Sequence, residues 1–169
     1  MRAVVALLGV LLAALNGTMQ LRSADFSAGG VIPTRSMAVD CGGENRSPAL
    51  SWSDAPKGTR SFALIVHDPD APIAGGFYHW VLYNLPASST ALPAQAKLDA
   101  AQLGQTSRGQ PGYYGPCPPP GPPHHYNFTL YALDVAHISA QTPTASQLEA
   151  RFSGHVLARS VLTGIESNH

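Results

Sequence analysis

The chain has 169 residues, enough for one domain with a substantial core. Lys+Arg and Asp+Glu each total 10 and charged residues make up only 12%, so the net charge is zero and there is no electrostatic case for a nucleic-acid partner. Of the 15 prolines, seven fall between Pro111 and Pro123, so the excess is local and does not signal disorder throughout.

Taken in order, the chain opens with Arg2 and then Ala3–Leu15, an apolar run of 13 residues. Such a run is short for a hydrocarbon layer of ~30 Å and has the form of a secretory signal peptide. The reading is a signal peptide over residues 1–18, cleaved near Asn16–Thr18, with a buried N-terminal helix as the alternative. No later stretch is long and apolar enough for an integral membrane segment. Export would put Cys41 and Cys117 in an oxidising compartment, where a single disulfide is allowed; two free, partly buried thiols are the other option.

Residues 19–169 then read as one domain. Met19–Val39 is a polar lead-in in which Phe26 and Val31–Ile32 are strand candidates. Cys41–Ser47 is a loop by composition. The Leu50/Trp52 alternation makes Pro48–Trp52 a short strand, and Asp54–Thr59 (D-A-P-K-G-T) makes a turn. Phe62–Val66 and Trp80–Leu85 have strand length and are rich in aromatic and β-branched residues. Both are apolar on two faces, which predicts interior strands covered on each side. Paired antiparallel, they bring His67 and Asp68 beside His79. Pro86 ends the second strand, because proline has no N–H for a ladder. Ala87–Gln110 reads as a surface loop with a short helix around Ala94–Leu103.

Pro111–Pro123 (P-G-Y-Y-G-P-C-P-P-P-G-P-P) can be only turn and polyproline II. Taken alone it suits a linker or an SH3-type ligand. The apolar strand Tyr126–Asp134 follows at once, and that favours a short rigid loop inside the fold, able to hold one wall of a pocket. Thr144 and Gln147 fit a capping box. Leu148 and Phe152 share one face of the short helix behind it, and Gly154 ends it. Val156–Ile165 is the last strand.

The polar residues at the strand ends are Asp68 and Asp70, His79, and the run His124, His125 and Tyr126. If the strands share a sheet, these meet at one rim with Gly115. A metal site lacks the H-x-x-x-H spacing, and adjacent His124 and His125 point to opposite sides of a strand. A hydrolase lacks a G-x-S-x-G elbow, and Cys117 sits between prolines with nothing to activate it. An anion pocket suits histidine donors and a glycine that admits close backbone approach. Against all three stands the reading of His79 and His124 as hydrogen-bonded residues at the edge of the core.

Five motifs carry a resemblance. Ser47-Pro-Ala-Leu-Ser-Trp52, Asp68-Pro-Asp-Ala-Pro72, His79-Trp-Val-Leu-Tyr-Asn84, Gly115-Pro-Cys-Pro-Pro119 and His124-His-Tyr126 stand in the order found in the phosphatidylethanolamine-binding protein (PEBP) family. The chain most resembles its bacterial and archaeal, Raf kinase inhibitor-like branch, over residues 19–165. The resemblance implies a mainly β fold: a large central, mostly antiparallel sheet packed on a smaller one, with short peripheral helices including one near the C-terminus. It implies an anion pocket formed by Asp68, His79, Gly115, His124 and Tyr126, with Asp70, Pro72 and Pro116 in the walls. It also implies a phosphate-containing ligand or phospholipid head group, no cofactor and no common catalytic reaction. Inhibition of a kinase or protease partner is the alternative, and a hydrolase using the pocket histidines is a third. The oligomeric state is open, a dimer included. The family usually has Arg where this chain has His125, which puts an ion pair with Asp70 in doubt.

Overall fold

The structure is a computed structural model that describes residues 18–99 and 102–167. The signal-peptide segment falls almost wholly outside these residues. Among the described residues there are seven strands: β1 (Gln20–Ser23), β2 (Leu50–Ser53), β3 (Ser61–Asp68), β4 (Phe77–Pro86), β5 (Ala91–Leu92), β6 (His124–Leu133) and β7 (Val156–Glu166). They form two antiparallel sheets, ordered β1-β2-β5 and β4-β3-β6-β7. A short helix, α1 (Ala145–Phe152), precedes β7.

The period-2 alternation of the strands sorts side chains into two cores. On the inner face, Phe62, Leu64, Val66, Trp80, Leu82, Phe128 and Leu130 meet Leu21, Leu50 and Trp52 of the small sheet. On the outer face, Ala63, Ile65, Val81, Tyr83 and Leu133 meet Leu148 and Phe152 of α1. The helix starts with the expected capping box, in which Thr144 Oγ1 accepts from the Gln147 N–H and the Gln147 side chain accepts from the Thr144 N–H.

Two expectations are corrected. β4 is covered on both faces but is an edge strand, and the segment after residue 102 closes its edge. The Gly104 N–H donates to the Val81 carbonyl (2.8 Å), Ser107 N–H to Tyr78 (2.9 Å) and Tyr114 N–H to His79 (2.9 Å). The second correction lies in the same segment. The described residues of the predicted helix Ala94–Leu103 contain no α-helix. Ala96 closes a turn on Pro93, and Leu103 bridges Leu82. Edge pairing there overrides the helical propensity of the alanines.

The Pro-rich loop is built into the fold. The Tyr113 hydroxyl donates to the Ser36 carbonyl (2.9 Å), and the Ala38 N–H donates to the Pro116 carbonyl (2.9 Å). Asn45 donates to the Tyr113 carbonyl (3.0 Å) and accepts from the Gly115 N–H (2.8 Å). Cys41 and Cys117 are joined by a disulfide, with Cα atoms 5.5 Å apart.

Candidate functional site

One residue out of register shapes the site. Val66 pairs with Trp80 and His67 with Tyr78, so His79 is an extra residue, a β-bulge. Strict alternation from the inward Trp80 would turn His79 outward. The bulge instead lets both His79 and Trp80 face inward, while Tyr78 goes out to stack on His67 at 4.5 Å. The His79 ring then meets Tyr126 edge-on at 5.1 Å.

The His79 Nδ1 lies 2.7 Å from the Tyr114 carbonyl. A carbonyl only accepts, so Nδ1 carries the proton and Nε2 presents its lone pair. Burial drives the imidazole pKa down to about 4, against the partial restoring effect of the Tyr114 carbonyl and the Asp68 carboxylate. Neutral Nε2 is buried and has no partner, and the same holds for the hydroxyl of Tyr126, whose ring is fully buried.

Asp68 is buried at the end of β3. Its Oδ1 accepts from the N–H groups of Asp70 (2.9 Å) and Ala71 (3.1 Å), and Oδ2 accepts from His124 Nδ1 (2.8 Å). The carboxylate therefore shapes the turn and orients His124 at once. On the outer side of β6, Asp70 accepts from both the His125 N–H (2.8 Å) and Nδ1 (2.7 Å), which holds its pKa below the ordinary carboxylate value. His125 thus holds Asp70 by two hydrogen bonds where the family's Arg would make a permanent ion pair.

These groups stand at one end of a cavity of about 180 Å³. Of the residues expected there, Asp68, His79, His124 and Pro72 line it. The other four stand behind the lining. Tyr126 packs against His79, and Asp70 fastens the turn from outside. Pro116 and Gly115 lie against the 36–45 loop, where a Cβ on Gly115 would come 2.1 Å from the Ser36 carbonyl oxygen. Glycine is required there for close packing, and its N–H is taken by Asn45.

Phe77, Ile73, Tyr114, Cys117, Pro118 and Pro119 also line the cavity. Phe77 and Tyr114 were missed. The only sequence signal for Tyr114 is an aromatic residue directly before Gly115, and its role rests on a carbonyl 35 residues away from His79. Arg108, with its guanidinium 4.5 Å over the Tyr114 ring and 3.3 Å from Asp40, has no sequence signal at all.

The profile of the family described as phosphatidylethanolamine-binding protein matches residues 22–167. The protein YbcL of Escherichia coli is 42% identical over 116 residues, spanning 64% of this chain and 63% of YbcL. Its crystal structure, described as that of a new member of the mammalian PEBP family, superposes with a TM-score of 0.82 and 33% identity, covering 89% of this chain and 99% of that one. YbhB, also of E. coli, is 37% identical over 158 residues, 88% of this chain and all of YbhB. A protein of Mycobacterium tuberculosis named as a candidate lipoprotein, LppC, is 39% identical over 120 residues, 70% of this chain and 57% of LppC. With the two sheets, the bulged histidine and the match over 22–167 in hand, the chain belongs to the phosphatidylethanolamine-binding protein family.

Proposed function

We propose that the protein binds a small phosphate-type anion in this cavity and catalyses no reaction there. One observation carries the reading: His79, which lines the cavity, has a buried Nε2 without a partner, and the hydroxyl of Tyr126, whose ring packs edge-on against it behind the lining, is unpartnered too. Such atoms are costly in a folded chain and are commonly explained by a ligand. Asp68, His79, His124 and Tyr126 form the binding group, Pro72 and Asp70 hold one wall, and Gly115 and Pro116 fix the other. Two observations among the described residues speak against catalysis: Cys117 is in the disulfide, and the carboxylate partner of His124 is occupied by three donors.

An NMR titration tests this. Millimolar inorganic phosphate should shift the imidazole signals of His79 and His124, and His79→Ala should fold and lose the response. Silence at both imidazoles sinks the reading.

The same reading places the mature protein, residues 19–169 as one domain, outside the cytoplasm. The disulfide, the apolar run at 3–15 and the name carried by LppC support it. Among the described residues no helix is long and apolar enough to cross a membrane. N-terminal sequencing of exported protein should find a start near residue 19; an intact Met1 on the mature protein contradicts it.

A further inference from the structure

We propose a second binding site on the opposite face of the large sheet: a groove that takes a small zwitterion of the amino-acid or dipeptide class, with its carboxylate on Arg159 and its ammonium on Glu149.

The groove begins where α1 stops. The helix packs over Ala63, Ile65, Val81 and Tyr83 and seals that part of the outer face. Toward β7 the same face stays open, and a groove of about 480 Å³ runs over it. The ladder register sets its floor. Tyr131 stands beside Arg159, Thr129 beside Val161, and His67 between Tyr78 and Asn127. Positions 127, 129 and 131 of β6 alternate with buried ones, so all of these side chains reach this one face. Glu149 reaches down from α1 and accepts from the Tyr131 hydroxyl at 3.1 Å. The bulge that turns His79 inward leaves Tyr78 stacked on His67 on the outside, so the two sites lie on opposite faces of β3 and β4.

A polar sheet face open to solvent is ordinary and needs no ligand. The charges set this one apart. Burial and the Glu149 carboxylate raise the pKa of the Tyr131 hydroxyl, and Arg159 acts on it in the opposite sense, so both signs of charge flank one tyrosine. Yet they do not meet. Among the described residues the Arg159 guanidinium has no hydrogen bond or ion pair, and Glu149 Oε2 has no partner. This leaves one place for an anion and one for a cation, with the Tyr131 hydroxyl between them.

Charge complementarity then selects the occupant. A simple anion gains on Arg159 and loses on Glu149, and a simple amine does the reverse. A zwitterion gains on both. Its body would lie along the stacked His67–Tyr78 pair and the exposed Val161. Asn127 Oδ1 is taken by the Thr163 hydroxyl at 2.7 Å, which leaves Nδ2 to donate to a ligand carbonyl. The volume falls in the range of small-molecule sites, which begins at about 300 Å³.

NMR titration of the full chain at neutral pH tests this, with glycylphenylalanine, its N-acetyl form, its C-terminal amide and free phenylalanine as probes. Millimolar glycylphenylalanine should shift the side-chain signals of His67 and Arg159. Acetylation and amidation should each weaken binding about tenfold. Glu149→Gln keeps an acceptor for Tyr131 and drops the charge. It should abolish the acetylation penalty and keep the amidation penalty, and Arg159→Gln should do the converse. Signal dispersion away from the groove checks that both variants fold. Phenylalanine binding as tightly as the dipeptide identifies amino acids as the ligand, and weaker binding identifies peptides. Silence at His67 and Arg159, binding that ignores both caps, or penalties that neither variant alters overturn the proposal. His79 and His124 report phosphate in the inner cavity separately, so failure here leaves the anion reading standing.

Discussion

The two walls of the cavity are held by opposite means. The wall from Asp68 to Gly76 is fastened by polar contacts: His124 to Asp68, His125 to Asp70, and His67 Nε2 donating to the Gly75 carbonyl at 2.8 Å. The facing wall, Tyr113 to Pro119, is fastened by the disulfide, by Asn45 and by the fixed φ angles of its prolines. The first wall is held by hydrogen bonds of ionisable side chains, whereas the second is held by a covalent cross-link and by backbone conformation.

The largest effect expected is on the Pro-rich wall. The disulfide closes a separation of 76 residues, so Cys41→Ser with Cys117→Ser should lower unfolding stability by about 4 kcal/mol. Urea unfolding with and without reductant measures it. A loss under 1 kcal/mol would mean that Asn45 and the prolines hold this wall alone, which would break the contrast between the walls.

On the turn wall, Asp68→Ala strips three donors of their acceptor at a buried position and should cost about 3 kcal/mol in the same assay. Asp70→Ala removes an exposed pair and should cost less than about 1 kcal/mol. Equal costs would show that burial does not separate the two His–Asp pairs.

A pH series sharpens the comparison further. His79 has a folded pKa of about 4, below its ordinary 6.5, so the unfolded chain binds its proton first as pH falls. The contribution is fully present above pH 6.5, is lost as pH falls, and levels off near pH 4, a total of about 3 kcal/mol. His79→Phe should flatten this part of the stability curve. The smallest effect belongs to Asp70. Its lowered pKa makes a contribution that is present above the ordinary carboxylate value of 3.8 and is lost below it. It should appear only as a slight steepening of acid unfolding that Asp70→Asn removes.

Much of this was legible in the sequence. The apolar runs gave β3 and β4, with their antiparallel pairing, because strand period and length are local properties. The capping box of α1 was legible for the same reason. The bulge at His79 was not, since it exists only in the register between two strands. Nor was Tyr114, whose carbonyl sets the His79 tautomer from across the cavity. That Asp70 is held without the usual Arg was not legible either, because half of the grip comes from the His125 backbone N–H, which any residue but proline supplies. Alanine-rich sequence near Ala94 suggested a helix, and the open edge of β4 took nearby residues instead.

The extra residue in β4 has a consequence for how such proteins evolve and are engineered. The residue left over between Tyr78 and Trp80 is His79 itself, so deleting it would remove both the bulge and the inward imidazole in one step. The inward direction of His79 therefore depends on the extra residue in β4 as well as on residue identity. A relative that keeps a histidine at this point but lacks the inserted position would carry that side chain on the opposite surface of its sheet.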